Sequence, residues 1–331
     1  METGKHLSDI KSGRRSSLRL AKGDSVATRD AYGEALLELG KNKPEVVVLD
    51  ADLSGSTKTG KFGKAFPNRF FNMGVSEQDM IGTAGGLSLT GKIPFASTFA
   101  IFETGRAWEQ IRQTICYSNL NVKLVATHGG ITVGEDGASH QAIEDVALMR
   151  VLPNMTVIVP SDGNETRQAI SAAADHWGPV YVRLGRAKVP PVMPGEYEFK
   201  IGKAHIFGKG RDAIIVAMGV MVAQSLEAAE SLKKEGIDVG VVNMSTVKPL
   251  DTQTLLEISE SSGLIVTAEE HSVIGGLGSA VSEFLSENHP ARILKIGIKD
   301  DFGCSGSPEE LLQLHGLTSD AIAKAIEEAL M

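Results

Sequence analysis

Cysteine, aromatic residues and long apolar runs are all scarce in this 331-residue chain. Its two cysteines, Cys116 and Cys304, stand alone, which excludes a disulfide-stapled scaffold and any cysteine-rich metal or redox motif. Isolated thiols fit a reducing compartment, so a cytoplasmic location is expected. No apolar stretch approaches the roughly 20 residues that a bilayer-spanning helix needs, and no membrane partner is expected. Positive charge is not in excess. The 33 Lys and Arg are outnumbered by 41 Asp and Glu, a net charge of −8, which argues against nucleic acid as the main partner. A small anionic substrate stays open, because it needs only a local basic pocket. Neither a dinucleotide glycine fingerprint nor a Walker lysine occurs. The first 23 residues lack the apolar stretch of a secretory signal and carry Lys11, Arg14, Arg15 and Arg19. They read as a flexible arm or a partner-docking segment.

What is present is an ordinary globular composition, 42% hydrophobic and 22% charged, long enough for about two full cores. β-Branched runs alternate with helical patterns. Helices are expected over 24–40, 77–89, 103–117 and 164–174, with strands over 45–51, 70–75, 93–97, 122–126, 156–160 and 180–184. Pro190, Pro191 and Pro194 then interrupt the pattern, and alternation restarts from 213 to the last helix over 321–330. The pattern predicts two consecutive three-layer α/β/α domains with mainly parallel sheets, over 24–190 and 199–331, joined by a linker over 191–198.

The densest chemistry lies at 127–141, T-H-G-G-I-T-V-G-E-D-G-A-S-H-Q, directly after the 122–126 strand. Loops at the carboxyl ends of parallel strands are where open α/β sheets place ligands. His128, Glu135, Asp136 and His140 offer donors, acceptors and titratable groups, and the glycines allow close backbone approach. Taken alone, such a loop could be a polar surface turn. A second cluster stands upstream. Ser76 and Asp79 form a capping-box-like S-x-x-D that places Glu77 in a first helical turn, and Phe99 and Phe102 follow at a spacing of three. An acid there commonly serves the helix dipole, and paired phenylalanines are commonly core. The run Asp50-Ala-Asp52-Leu-Ser-Gly-Ser56 reads equally as a turn or as a phosphate- or hydroxyl-binding loop. In the second unit, Glu269-Glu-His271 followed by Ile274-Gly-Gly-Leu-Gly278 reads as a structural contact motif.

Together, G-V-S-E-Q (74–78), S-T-F-A-I-F (97–102), the 127–141 loop and P-S-D (160–162) resemble the transketolase family, over almost the whole chain from about residue 24. The likeness is to that family's pyrimidine-binding and C-terminal domains. The G-D-G…N run of its first domain, which holds Mg²⁺ (or Ca²⁺) and the diphosphate, has no counterpart here. The resemblance therefore implies the C-terminal subunit of a two-chain transketolase, with thiamine diphosphate and its metal held mainly by an N-terminal partner in a two-plus-two heterotetramer. No metal ligand is expected in this chain. The implied activity is transfer of a two-carbon ketol unit between sugar phosphates. By the same resemblance Glu77 would contact the cofactor's aminopyrimidine, Phe99 and Phe102 would pack on that ring, and Asp52 would line the cofactor site. His128, Asp136 and His140 would contact substrate oxygens, the histidines moving protons. Arg29, Ser56 and Arg186 would hold the sugar phosphate. Gly105 stands where the family often has a third aromatic, and Ala138-Ser139 replace its Pro-Thr. The alternatives are a half of deoxyxylulose phosphate synthase, a 2-oxoacid dehydrogenase β subunit, or a non-catalytic partner with the same fold.

Overall fold

The computed structural model describes Leu18 and residues 20–331. Most of the arm expected over 1–23 thus lies outside the described residues. Of its remainder, Leu18 and Leu20 pack on the second domain's core, and the Ala21 N–H donates to the Pro191 carbonyl at 2.9 Å.

The first domain runs β1 (Val26–Ala27), α1 (Thr28–Asn42), β2 (Val46–Asp50), α2 (Ser54–Thr57), α3 (Gly60–Ala65), β3 (Phe70–Asn72), α4 (Glu77–Ser88), β4 (Ile93–Ser97), α5 (Trp108–Gln110), β5 (Lys123–Ala126), α6 (Asp145–Arg150), β6 (Thr156–Ile158), α7 (Gly163–Asp175), β7 (Val180–Arg183) and β8 (Lys188–Val189). β2 is buried at all five positions, as a strand covered on both faces must be. Its alternation sorts the layers: Val46 and Val48 pack with Tyr32 and Leu36 of α1 and Ile170 of α7, whereas Val47 and Leu49 pack with Met80 and Ile81 of α4. β3, β2, β4, β5, β7 and β6 pair in that order and all run parallel, so their carboxyl ends share one edge.

Two local expectations differ from the structure. The continuous helix over 103–117 is instead α5 flanked by two widened, π-type turns, Phe102–Arg106 and Ile111–Cys116. Such widening inserts an extra residue into a turn and is frequent at functional sites. The capping box at α4 does not form. The Ser76 hydroxyl donates to the Met73 carbonyl at 2.6 Å and its N–H to Gly74, so the tight turn before the helix uses the groups that would have capped it.

The second domain runs β9 (His205–Gly208), β10 (Ala213–Ala217), α8 (Met221–Lys234), β11 (Val239–Asn243), β12 (Thr246–Lys248), α9 (Thr252–Ser261), β13 (Ile265–Ser272), α10 (Leu277–Asn288), β14 (Ile293–Ile298), α11 (Pro308–Leu314) and α12 (Ser319–Leu330). Its sheet has the order β14-β13-β10-β11-β9, parallel except for β9. The chain thus forms two α/β domains with mainly parallel sheets.

Periodicity gave no sign of β12, a three-residue strand that leaves its own domain and pairs antiparallel with β6, adding a seventh strand to the first sheet. One hydrophobic core continues from Val157 and Val159 through Val247 to Ile214, Val216 and Leu277. A buried polar knot also crosses the junction: the Asn243 amide donates to both Glu165 oxygens at 2.9 and 3.0 Å, and Ser161 and Tyr197 donate to the same carboxylate. Backbone pairing, core and polar knot make the two domains one packed body.

Candidate functional site

The carboxyl ends of β2, β4, β5 and β7 bring their following loops to one edge. α1 delivers its first turn to the same edge, where the Thr28 hydroxyl accepts the Gly185 N–H at 2.8 Å and sets Arg29 near Arg186. At the end of β2, Asp50 is fully buried and accepts from the Leu53 N–H at 2.6 Å and from the Thr57 and Thr59 hydroxyls at 2.7 Å each. Burial still holds its carboxyl above the usual range, with Asp52 adding repulsion. This network shapes the loop that presents Asp52, Ser56 and Lys58. Asp52 is exposed at φ 64° and accepts from the Asn72 amide at 2.9 Å.

Beyond β4 and β5, four rings form one wall. Phe99 stacks on Phe102 (centroids 5.7 Å, 13°) and on the His128 imidazole (3.7 Å, 22°), and His140 meets Phe102 edge-on at 5.4 Å. His128 is buried at φ 61°, a strained backbone costing about 1–3 kcal/mol that persists where surroundings over-determine it. Its Nε2 lies 3.2 Å from Arg29 Nη1, which also donates to the Ser56 carbonyl at 3.2 Å. Burial, followed by Arg29, Arg186, His140 and Lys58, pushes the imidazole down to about 3, so it is neutral at physiological pH. Arg186 donates to the Val133 carbonyl at 2.5 Å and reaches Asp136 and Glu135 at 3.4 and 3.6 Å. Cations and a neutral imidazole thus gather at the strand ends, with Arg29, Arg186 and His140 half-buried.

Glu77 closes the wall from the α4 side, only 5% exposed. Arg106, from the first π-type turn, pairs with it at 2.8 Å and lays its guanidinium over the Phe102 face at 4.1 Å. The Gln78 amide holds the Arg106 carbonyl at 3.0 Å. In the same turn Glu103 is fully buried, and among the described residues neither of its carboxylate oxygens has a hydrogen-bond partner. Burial pushes this carboxyl well above the usual range, reinforced by Asp50 and Glu77.

The second domain braces the central loop. The Thr132 N–H donates to the Glu270 carboxylate at 2.6 Å, and Gln141 donates to the Ile131 and Cys304 carbonyls at 3.1 and 2.9 Å. At Gly130, φ is +83° and a Cβ would overlap the Glu270 carboxyl, so only glycine lets the loop seat there. Arg183, at the end of β7, is buried against Asp145 at 3.0 Å and donates to the Ala142 and Glu270 carbonyls. In the Glu269-Glu270-His271 motif, Glu269 caps α10 at Leu277 and Gly278.

The structure therefore brings together Arg29, Ser56, Phe99, Phe102, His128, Asp136, His140 and Arg186, and joins Glu77 to them through Arg106 and Phe102. Asp52 stands apart with Asn72. Sequence reading gave Asp50 and Thr127 no role of their own within their loops and passed over Glu103, Arg106 and Arg183. Asp50 and Arg183 had a signal, as charged residues at the ends of apolar strands. Arg106 had none, because a π-type turn breaks the helical periodicity that would place it.

These features define a doubly wound α/β protein with an aromatic and cationic cluster at its strand ends. Residues 24–191 match the transketolase pyrimidine-binding domain and residues 202–322 the transketolase C-terminal domain. The chain belongs to the transketolase family. It is 52% identical over 303 residues to a Methanocaldococcus jannaschii protein named for the C-terminal section of a transketolase, covering 91% of this chain and 95% of that one. A solved split-gene transketolase, an inactive β4 tetramer, is 54% identical with a TM-score of 0.85, over 93% of this chain and 99% of that one. Human transketolase is 38% identical over 308 residues, which are 92% of this chain and 49% of the human protein.

Proposed function

We propose that this chain is the C-terminal subunit of a two-chain transketolase, moving a two-carbon ketol unit from a ketose phosphate to an aldose phosphate. The observation that carries this reading is the convergence of Glu77, the Phe99–Phe102 wall and the Arg29, His128, His140, Arg186 cluster on one sheet edge. Phe102 offers a flat face that a planar guanidinium now covers, with the buried Glu77 carboxyl beside it. That set would fit an aminopyrimidine ring, with the phenylalanines for its faces and Glu77 for a ring nitrogen. Thiamine diphosphate, when bound, supplies the carbanion chemistry. Glu77 then holds or exchanges a proton at a ring nitrogen, and Phe99 and Phe102 orient the ring and exclude water. Arg29 and Arg186 hold the substrate phosphate as forked donors. His128, His140 and Asp136 meet substrate oxygens, with neutral His128 acting as acceptor.

We assign the diphosphate and Mg²⁺ to an N-terminal partner chain, in a particle with two copies of each chain. The inactivity of the similar split-gene β4 tetramer supports this assignment. The test is ketol transfer with thiamine diphosphate and Mg²⁺, assayed for this chain alone and co-expressed with an N-terminal subunit. Activity is expected only in the mixture. Turnover by the lone chain at the rate of the mixture would sink the partner assignment, and an inactive assembled mixture would sink the ketol-transfer reading.

A further inference from the structure

His128 is engaged at both ring nitrogens. Arg29 Nη1 lies 3.2 Å from Nε2, and Thr127 Oγ1 lies 2.7 Å from Nδ1. A guanidinium has donors and no acceptor. Nε2 must therefore present its lone pair to Arg29, and Nδ1 must carry the proton and donate it to the Thr127 oxygen. The charged imidazolium is disfavoured for the same reason, since its Nε2–H would point at an Arg29 donor. Charges facing the ring from the neighbouring elements act the same way: Arg29, Arg186, His140 and Lys58 all oppose a positive imidazole. Thr127 is itself clamped. Its carbonyl accepts the Ala100 N–H at 2.8 Å and its N–H donates to the Thr98 carbonyl at 3.0 Å, tying it to the segment whose Phe99 stacks on the imidazole.

Arg29 is less well satisfied. Nη1 is shared between the Ser56 carbonyl and His128, and among the described residues the buried Nε has no partner. Asp30 attracts it, and Arg186 lies close enough to repel it. Two neighbouring guanidiniums make a cationic site, and an oxyanion seated end-on takes the Nη1 and Nη2 N–H groups of Arg29 together. Doing so draws Nη1 from the imidazole.

We propose that Thr127 and Arg29 are positioning residues that hold His128 as its neutral Nδ1–H tautomer, with Arg29 masking the Nε2 lone pair until an oxyanion draws it away. Anion capture and the availability of a proton acceptor are then one event, and a substrate lacking the anionic group meets a masked base. This coupling rests on the reading of Arg29 as a phosphate ligand given above, while the tautomer follows from the contacts alone.

The test is nitrogen NMR on the full chain labelled with ¹⁵N-histidine, with His128→Gln assigning the resonances. In the wild type, Nδ1 is expected at the protonated end of the range and Nε2 at the unprotonated end, from about pH 5 to 8. An Nε2–H tautomer, or an imidazolium in that interval, overturns the proposal. Arg29→Met is expected to give mixed tautomers and a ring that titrates at higher pH, whereas Thr127→Val, with Arg29 still donating to Nε2, should keep Nδ1–H and move only its hydrogen-bond shift. A purely structural role would lower stability and leave the tautomer ratio unmoved. Adding inorganic phosphate should shift Nε2 further toward the unprotonated end in the wild type and not in Arg29→Met. Absence of that shift overturns the unmasking step. Ketol transfer without the tautomer pattern would sink this inference alone, and the pattern without ketol transfer would sink the proposed function alone.

Discussion

The carboxyl edge of the first sheet presents polar side chains to open space, whereas that of the second is turned inward and filled by the first domain. At the first edge Asp52, Glu135, Asp136 and Arg106 are exposed, Arg29, Arg186 and His140 are half-buried, and His128 sits at a strained φ. At the second edge Asn243, Glu269, Glu270 and His271 are buried. Their bonds go to Glu165, to the first turn of α10, to Thr132 and to the Ala147 N–H. Two sheets built on the same plan thus end in similar polar loops with opposite uses. Where a neighbouring domain supplies the hydrogen-bond partners, the loop is a bracket. Where it does not, the unspent donors and cations form a site.

That contrast can be broken at either edge. The largest expected effect is at the first. On the proposed function, Glu77→Gln in the two-chain assembly should lower turnover by roughly 10²–10⁴ while leaving folding and assembly nearly unchanged, as loss of one placed proton-transfer group does. Near wild-type turnover at saturating cofactor would remove Glu77 from that role.

At the bracket the readout is stability. Arg183→Met leaves the buried Asp145 carboxylate without the cation 3.0 Å from it and removes a charge that also attracts Glu270, and breaking a buried pair in this way costs about 3–5 kcal/mol. Denaturant melts of the chain should show the loss. A change below 1 kcal/mol would mean that the bracket is no stronger than a surface ion pair.

Arg186→Ala is expected to act more mildly, chiefly on KM for phosphorylated substrates, by roughly tenfold to a hundredfold, the worth of a hydrogen bond to a charged group. Equal losses for unphosphorylated sugars would contradict a phosphate-holding role.

The last effect shows only as a slope with pH. His128 takes up a proton near 6.5 when unfolded but only near 3 when folded, so the unfolded state binds more protons between those values. Its contribution to stability is complete above about 6.5 and is lost as pH falls toward 3. His128→Gln should therefore flatten the acid limb of stability against pH. An unchanged limb would mean that the imidazole is charged in the folded chain.

The strands over 45–51 and 180–184 and the start of α4 at Glu77 were legible in the sequence, because burial on both faces selects β-branched runs and polar turns bound them. The central loop was legible because its histidines, acids and glycines are contiguous. Arg106 and Glu103 were not, since a π-type turn has no signature in hydrophobic spacing. β12 was hidden for another reason. Three residues are too few for a periodic signal, and its partner β6 lies almost ninety residues back.

By itself, then, the sequence determined two α/β units, their order and the residue types gathered at the strand ends, because burial and turn chemistry act over a few residues. Only the tertiary structure decided which of those ends stay open. It gave the second domain's acids and amides to the first domain's loops, turned Arg106 onto Glu77 and set Arg29 against His128. Those choices depend on which groups find hydrogen-bond partners across long stretches of chain, and local pattern carries no record of that.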